Sequence, residues 1–394
     1  MSEERLAKKI HLTRTKRLHT GHLWIFSNEV HESLKLYQPG SLVEVYDMHD
    51  EFIGIGYINP NSLIAVRLLT REKKSIDREF LRQRINAAIT LRRRLINERD
   101  AYRIVYSEGD YLPGLIADRY GNFLVLQFLT YGMEAIKDMV IELFDEMLNP
   151  DIIVLKNESR VRVLEGLARY KEIVKGSFEK LPVIREDGLF FEIDPYEGQK
   201  TGFFLDQREN RVSLKRYIRA GKGLDLFSYN GAWAMHLASA GAEITCVDSS
   251  DRAIAQARRN AALNNLNNRI DFVVEDVFAF LEKELRKGEK RYDFIVLDPP
   301  AFVKSAAKLK EAVKAYREIN EMSMRLIKQG GALVSSSCSY HMGRELFVDV
   351  LNAAAKNARR SLRLIELRSQ APDHPVLLSM PETEYLKCAF LLVD

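Results

Sequence analysis

The chain has 394 residues, with 59 lysines and arginines against 55 aspartates and glutamates, and a formal net charge of +4. Apolar types make up 46% of it, enough surface to offset the chain entropy lost on folding, which excludes a collagen-like, low-complexity or largely disordered protein. There is no uninterrupted apolar run of about 18 residues, and the amino terminus has no apolar core. The sequence therefore predicts no membrane span and no signal peptide, and we expect a cytoplasmic protein.

Cysteine usage excludes two further kinds of site. The three cysteines, Cys246, Cys338 and Cys388, are widely spaced along the chain. This spacing supports neither a disulfide framework nor a zinc site, and we expect no bound metal.

The amino-terminal segment, residues 1–72, alternates short β-type runs with turns. Pro39-Gly40 and Asn59-Pro60 have the composition of turns between strands. The predicted strands are residues 22–26, 41–47, 52–58 and 62–69. The pattern is typical of a small all-β barrel or meander.

Residues 73–188 mix helical and strand patterns, which predicts a central α+β domain. Apolar residues recur at near-helical spacing over residues 76–98. The other predicted elements are strands at 103–107, 114–118, 122–129 and 151–155 and a helix at 132–147.

Two basic segments lie within this first half of the chain, at residues 5–17 and 78–103. Clustered lysines and arginines can neutralise the phosphates of a nucleic acid, so these segments are candidate RNA-binding surfaces. The alternative is a solvated helix face together with a basic chain start.

From residue 189 to 394 apolar strands alternate with helices, as a doubly wound sheet requires. Five parallel strands are predicted at 223–227, 243–248, 270–276, 292–298 and 331–337. Helices are predicted at 231–240, 251–264, 306–328 and 343–358, and two closing strands at 361–367 and 385–392. The fold class is therefore multi-domain α/β with a Rossmann-like carboxy-terminal domain.

The polar residues at the carboxyl ends of these strands predict a cofactor site, because ligands of open α/β sheets bind there. Gly231 permits a tight turn after the first strand, but there is no Gly-x-Gly-x-x-Gly sequence, which disfavours nicotinamide and flavin cofactors. Asp225, Asp248 and Asp276 end successive strands, where Asp248 could bind ribose hydroxyls and Asp276 an adenine amino group. S-adenosylmethionine fits this set; each aspartate alone could instead be a helix cap.

The fourth strand ends in a sequence suited to a flat polar ligand. Two prolines after Asp298 hold the backbone extended, so that Asp298 and the Pro299 carbonyl can face a nucleobase amino group, with Phe302 stacked on the base. The alternative is a rigid turn that ends the strand.

Cys338 follows a serine run at the end of the fifth strand, on the same predicted edge as Asp298. A thiolate there could add to carbon 6 of a pyrimidine and so make carbon 5 nucleophilic. Cys246 and Cys388 lie inside apolar strands and are expected to be inert.

These motifs resemble the RlmI-like family of class I S-adenosylmethionine-dependent RNA methyltransferases, which modify cytosine at carbon 5 in large-subunit ribosomal RNA. The resemblance covers nearly the whole chain. Residues 19–30, 39–47 and 52–69 resemble the family's RNA-binding PUA domain, and GQKTGFFLDQRENR at 198–211 resembles the signature that opens its catalytic domain. The motifs LDLFSYNGAW, VDSS, EDVF, DPPAF and SSSCSY then follow in family order.

The resemblance implies S-adenosylmethionine as cofactor, 23S-type ribosomal RNA as partner, and a role for each matched residue. The implied cofactor residues are Asp225, Phe227 and Gly231 at the methionine end, Asp248, Asp276 and Asp298, and Gln199, Lys200, Phe204 and Asp206 from the signature. Cys338 would be the nucleophile, Asp298 would contact the cytosine, and Arg208 would meet an RNA phosphate. Arg208 and Arg211 could instead pair with Glu197 or Glu209.

The sequence lacks one residue that many enzymes of this chemistry have, and this affects how the proton on carbon 5 is removed. Many RNA enzymes that form 5-methylcytosine carry a second cysteine after the strand-four prolines, but Ala301 follows Pro300 here, as it does in RlmI-like proteins. The base that removes the proton is therefore unidentified, and water and Asp298 are the candidates.

Two other functions remain open. An amino methyltransferase would use the DPPAF sequence to orient a base nitrogen, and Cys338 would then be incidental, although Ala301 departs from the usual aromatic position of such motifs. A non-catalytic RNA-binding or assembly factor would retain only cofactor affinity. An exposed β edge could also support a homodimer.

Overall fold

The computed structural model describes residues 8–97, 100–288, 290–302 and 308–394. The described chain forms two compact units, which interleave in sequence. Unit 1 takes its residues from Met1–Pro182, Ile193–Phe203 and Pro372–Thr383, and unit 2 from Val183–Glu192, Phe204–Ala371 and Glu384–Asp394. Residues 5–7 and 98–99 of the two predicted basic segments, and the start of the helix predicted at 306–328, lie outside the described residues.

Unit 1 begins with a five-stranded sheet of order β1-β3-β4-β5-β2. Its strands are β1 (Lys8–Leu12), β2 (Trp24–Phe26), β3 (Leu42–Asp47), β4 (Phe52–Ile58) and β5 (Ile64–Thr70), and a short helix, α1 (Lys16–His19), follows β1. β1 pairs with β3 in parallel, and the other pairs are antiparallel. Buried aliphatic side chains such as Ile10, Val43 and Val66 form its core.

A second five-stranded sheet of order β10-β9-β8-β7-β6 completes unit 1. Its strands are β6 (Ala101–Tyr106), β7 (Leu115–Tyr120), β8 (Phe123–Phe128), β9 (Ile152–Asn157) and β10 (Tyr170–Lys175). The helices are α2 (Arg78–Leu95), α3 (Tyr131–Ala135), α4 (Lys137–Leu148) and α5 (Arg160–Leu164). The Asp77 side chain caps the start of α2. The buried face of this helix packs on the sheet through Phe80, Ile85 and Ile89.

A buried carboxylate ties the two halves of unit 1 together. Glu165 is 1% exposed and accepts hydrogen bonds from Asn59 Nδ2 (2.8 Å), Ser62 Oγ (2.8 Å) and Arg67 Nη2 (2.9 Å). Because a buried carboxylate is tolerated only when it is paired and hydrogen-bonded, this contact fixes the amino-terminal sheet against the segment after α5.

Unit 2 is built on a seven-stranded sheet of order β15-β14-β13-β16-β17-β19-β18. The strands are β13 (Lys222–Leu226), β14 (Glu243–Asp248), β15 (Ile270–Val274), β16 (Tyr292–Leu297), β17 (Ile327–Ser337), β18 (Leu362–Arg368) and β19 (Lys387–Val393), and a separate hairpin joins β11 (Val183–Glu186) to β12 (Leu189–Glu192). The first five pair in parallel, and β19 pairs antiparallel with both β17 and β18.

Helices cover this sheet, as crossover connections between parallel strands require. They are α6 (Arg208–Leu214), α7 (Ala232–Ser239), α8 (Asp251–Leu263), α9 (Val277–Arg286), α10 (Leu309–Leu326) and α11 (Arg344–Ala358). The core contains fully buried strand residues such as Leu224, Ile295 and Leu333, packed against Tyr316 and Phe347 of the helices.

The multi-domain α/β fold class and the five parallel strands are confirmed, whereas several local elements were missed. The sequence reading had no helix at α9, no strands at β1 and β10, and no β11–β12 hairpin. It also ran α3 and α4 together as one helix. The boundaries 1–72, 73–188 and 189–394 stay a prediction. Among the described residues, no helix is long and apolar enough to cross a membrane.

Candidate active site

The strand order of unit 2 defines a crevice at the carboxyl ends of β13 and β16. The chain runs outward from β13 through β14 to β15 on one side, and from β16 to β17 on the other. A reversal of strand order opens the adjacent loops, which makes this the ligand-binding edge of a doubly wound sheet. Asp225 and Asp298 lie at the two strand ends that flank the reversal.

Asp225 is fully buried at this edge. Its Oδ2 accepts a hydrogen bond from the backbone N–H of Ala234 in the first turn of α7 (3.1 Å), and its Oδ1 has no partner among the described residues. Burial raises the pKa of Asp225 well above its ordinary value, and the nearby charges of Asp298 and Asp248 raise it further. A cationic donor placed against the unpartnered Oδ1 would therefore stabilise the charged form of this carboxyl group.

The turn after β13 adopts an unusual backbone. Phe227, Tyr229 and Gly231 all have positive φ, at 60°, 49° and 76°. Two non-glycine residues in the left-handed region cost free energy, and such strain concentrates at functional loops. At Gly231 a Cβ would also lie 3.0 Å from Met235 Cε and 3.1 Å from Ala257 Cβ, so glycine is required there.

Asp248 organises the same turn from the neighbouring strand. Its Oδ2 accepts from the Tyr229 N–H (3.0 Å) and its Oδ1 from the Ser250 N–H (2.9 Å). Asp276 is exposed, and its Oδ1 accepts from the Ala279 N–H (3.1 Å) as the N-cap of α9. Both carboxylates therefore have structural roles, and their predicted contacts with ribose and adenine stay predictions.

Asp298 is held between two donors. Gln207 Nε2 donates to its Oδ1 and Trp233 Nε1 to its Oδ2, each at 3.0 Å. Gln207 is oriented in turn by Asn210 Nδ2, which donates to its Oε1 (2.7 Å). Because both oxygens are fixed, the carboxylate is preorganised at the crevice.

The strand-four turn places Phe302 in an aromatic cluster. Its ring centroid lies 4.8 Å from that of Tyr316, 6.2 Å from Phe227 and 6.4 Å from Phe278. Pro299 is buried beside Asp298. Phe302 is half-buried, so stacking on a base stays a prediction.

Cys338 directly follows β17 and is partly exposed, whereas Cys246 and Cys388 are buried. Burial raises the pKa of Cys246 well above its ordinary value and that of Cys388 to about 12, so both stay protonated. Because β16 and β17 are neighbours in parallel register, Cys338 and Asp298 extend from the same edge of the sheet. The role of Cys338 as the nucleophile stays a prediction.

Two ionisable groups that the sequence reading missed lie close to Cys338. Lys387 of β19 is 3% exposed, and its Nζ donates to the carbonyl oxygens of Ser339 (2.7 Å) and Tyr385 (2.8 Å). The Tyr316 hydroxyl lies 3.1 Å from Ser337 Oγ, and burial, followed by the charge of Cys338, raises its pKa to about 12.

The signature at 198–211 is divided between the two units. Gln199 and Lys200 are exposed residues of unit 1. In unit 2, Phe204 meets Tyr229 edge to face at 5.3 Å, and Asp206 Oδ2 accepts from the Tyr385 hydroxyl at 2.6 Å. The cofactor roles of these four signature residues stay predictions.

The two signature arginines are engaged within the protein. Arg208 is buried and its Nε lies 3.2 Å from Glu209 Oε1, one of the alternatives that the sequence left open. Arg211 forms a bidentate pair with Glu186, at 2.7 Å for both hydrogen bonds, rather than with Glu197 or Glu209. An RNA-phosphate contact by Arg208 stays a prediction, since its side chain is only 7% exposed.

Gln207, Trp233, Tyr316 and Lys387 are the site residues that sequence reasoning did not select. Gln207 and Trp233 lie inside the motifs at 198–211 and LDLFSYNGAW, in which other residues were predicted to form the site. Lys387 is the single charged residue in the otherwise apolar strand KCAFLLV, and a lone charge in a buried strand is a signal that could have drawn attention to it.

Family comparisons agree with this geometry. A model of PUA-like domains matches residues 9–71, and a model of S-adenosylmethionine-dependent methyltransferases matches residues 168–384. The chain is 38% identical to ribosomal RNA large subunit methyltransferase I of Shewanella frigidimarina, over 95% of this chain and 96% of the relative. It is 35% identical to the protein of the same name in Alteromonas mediterranea, over 95% and 96%.

Solved structures share the fold. The structure of SMU.776 in complex with S-adenosylhomocysteine has a TM-score of 0.85 and 22% sequence identity, and the match covers 98% of this chain and all of that one.

Proposed function

Because the chain belongs to the S-adenosylmethionine-dependent methyltransferase family and has a PUA-like domain, we propose that it methylates cytosine at carbon 5 in large-subunit ribosomal RNA. Use of S-adenosylmethionine follows from the family. Cytosine as the base, carbon 5 as the position and a covalent step through Cys338 are what we propose beyond the family.

The observation that carries this proposal is the pairing of a partly exposed thiol with a preorganised carboxylate at neighbouring strand ends. A methyltransferase that acts on a base nitrogen needs no thiol, because the nitrogen lone pair attacks the methyl group directly. Carbon 5 of cytosine has no such lone pair, so Cys338 has a use only in the carbon 5 reaction.

The residues of the crevice fit the cofactor. The unsatisfied Asp225 Oδ1 supplies an acceptor for an ammonium group, and the left-handed turn through Gly231 leaves no Cβ to obstruct close approach. Asp248 and Asp276 lie at the next two strand ends, where ribose and adenine would follow. When bound, S-adenosylmethionine supplies an electrophilic methyl group to this edge.

The chain's own residues would carry the rest of the reaction. The Cys338 thiolate donates its electron pair to carbon 6, and the electrons of the C5=C6 double bond move to carbon 5, which becomes nucleophilic. After methylation, carbon 5 gives its proton to water or to Asp298, the double bond reforms, and the S–C6 bond breaks to return the thiolate. Asp298 also orients the cytosine amino group.

The RNA would be held by unit 1, where the PUA-like domain lies. Contacts of the basic segments 5–17 and 78–103 with the RNA backbone, a cytoplasmic location and a homodimer all remain predictions.

The direct test is transfer of labelled methyl groups to unmodified ribosomal RNA, with digestion to nucleosides and mass spectrometry. We expect the label in 5-methylcytidine. Label on a base nitrogen would replace this proposal with the amino methyltransferase. No label with either free RNA or assembled subunits would favour the non-catalytic factor.

Asp276 offers a test of the adenine contact that separates binding from capping. We expect Asp276→Ala to lose about 1 kcal/mol of stability, because the N-cap of α9 is lost, while Asp276→Ser keeps the cap. Both variants should bind S-adenosylmethionine about tenfold more weakly, because each lacks the carboxylate acceptor. Calorimetric titration and thermal unfolding measure the two effects. Unchanged affinity in Asp276→Ser would leave Asp276 as a cap only.

A further inference from the structure

We propose that Lys387 is a positioning residue for the reactive thiol: its buried ammonium group stabilises the thiolate of Cys338. The inference deepens the proposed function, since it names the group that makes this cysteine a nucleophile. A thiol at its ordinary pKa of about 8.5 is mostly protonated at neutral pH, and the thiolate is the reactive form.

The geometry places the ammonium group where it can act on this strand end. β19 runs antiparallel to β17, with Lys387 in register with Ser337, the residue before Cys338. Lys387 Nζ also donates to the carbonyl oxygen of Ser339, the residue after Cys338. The lysine is therefore anchored on both sides of the cysteine by backbone contacts, which fix its position without neutralising its charge.

Burial disfavours the positive charge of Lys387, and no carboxylate among the described residues forms an ion pair with it. Burial lowers the pKa of Lys387 to about 8, and the charges of Cys338 and Glu384 oppose this effect, whereas Arg344 adds to it. Among the described residues no carboxylate forms an ion pair with Lys387; Glu384 instead pairs with Arg344 at 2.6 Å. Buried lysines are rarely left without an anionic partner, and ionisation of Cys338 would supply one.

The consequence is electrostatic. A cation in a low-dielectric site favours the anionic form of a neighbouring acid and so lowers its pKa. Below pH of about 8 Lys387 is charged, and the thiolate should be stabilised. Tyr316, the other ionisable group near Cys338, stays neutral in this range because its pKa is raised to about 12.

The test measures the thiol directly, without RNA. The full chain is alkylated with iodoacetamide between pH 5.5 and 10, and modification of the Cys338 peptide is followed by mass spectrometry. We expect Lys387→Gln, which keeps a donor for the carbonyl groups, and Lys387→Met both to raise the midpoint by about one pH unit and to slow alkylation at pH 7 about tenfold. Lys387→Arg should stay near the wild-type midpoint.

Controls separate this role from structural support. Arg344→Gln removes a partly exposed cation of α11 that pairs with Glu384, and it should move the midpoint much less. Thermal unfolding shows whether each variant is folded. If folded Lys387→Gln and Lys387→Met keep the wild-type midpoint, the proposal is wrong. A raised midpoint in a protein that forms no 5-methylcytidine would uphold the role of Lys387 and reject the proposed function.

Discussion

Replacement of Cys338 by alanine should abolish formation of 5-methylcytidine, with a loss on the order of 10⁴-fold or more in the rate of methyl transfer. Removing the nucleophile of a covalent mechanism commonly has an effect of this size, because the remaining binding interactions cannot activate the substrate. Cys338→Ser should be equally inactive, since a hydroxyl in place of the thiol is not ionised at neutral pH. Single-turnover transfer from labelled S-adenosylmethionine measures both variants.

The same mechanism predicts a trapped intermediate. RNA with 5-fluorocytidine at the target has no proton to lose from carbon 5, so the S–C6 bond cannot be released after methylation. We expect a covalent protein–RNA complex in the wild-type chain and none in Cys338→Ala. Cys246→Ala and Cys388→Ala are the matched controls, because both thiols are buried, and they should still form the complex. Full methylation by Cys338→Ser would contradict the covalent mechanism.

The sheet of unit 2 could be predicted because its strands are covered on both faces. Strands such as β16 are then continuous apolar runs ended by a polar residue, and such runs stand out in a sequence. The ends of those runs fixed the expected positions of Asp225, Asp298 and Cys338 in the same way. Side chains at the carboxyl ends of neighbouring parallel strands lie at the same edge of the sheet, and this does not depend on the conformation of the loops between the strands.

The missed elements are those whose pattern is short or whose role depends on distant contacts. β10, with the sequence YKEIVK, is mostly polar and partly exposed, and the two hairpin strands have four residues each, so none of them is a distinctive apolar run. α9 begins directly after Asp276, and a helix cap was one of the two interpretations of Asp276, but no helix was predicted after it. The role of Lys387 follows from its antiparallel register with β17, and no local pattern determines that register.

Neutralising Glu186 should strongly destabilise unit 2. Glu186 of β11 and Arg211 of α6 are 3% and 1% exposed, and Arg211 Nη1 also donates to the Phe204 carbonyl (2.9 Å). The pair therefore ties the hairpin to the signature helix. Glu186→Gln leaves an uncompensated buried guanidinium, and we expect a loss of about 3–5 kcal/mol in the free energy of unfolding at pH 7.5.

Urea unfolding of a Trp24→Phe background can measure this loss, because Trp233 is then the one remaining tryptophan and lies in unit 2. Glu282→Gln is the control: Glu282 pairs with Arg286 on the exposed face of α9, with the two side chains 60% and 78% exposed. An exposed pair of this kind contributes little, so this variant should unfold like the background. Equal free energies of unfolding for Glu186→Gln and Glu282→Gln would show that the buried pair makes no net contribution to stability.

The pH dependence should distinguish the two acid-sensitive groups of this cluster. Burial opposes ionisation of Glu186, but the charge of Arg211 and the hydrogen bond from His236 (3.0 Å) outweigh it and lower its pKa from 4.5 to about 2. Its contribution to stability is thus fully present above pH 4.5 and is lost as the pH falls towards 2. Burial lowers the pKa of His236 below 6.5, so the folded protein releases a proton that the unfolded chain binds, and stability falls as the pH drops below 6.5. We therefore expect wild-type stability to decline from pH 6.5. The further decline between pH 4.5 and 2, where Glu186 takes up its proton, should be absent in Glu186→Gln, so the difference in stability between the two proteins should narrow over that range. A difference that stayed constant to pH 3 would mean that the Glu186 carboxylate is not the group that stabilises the hairpin.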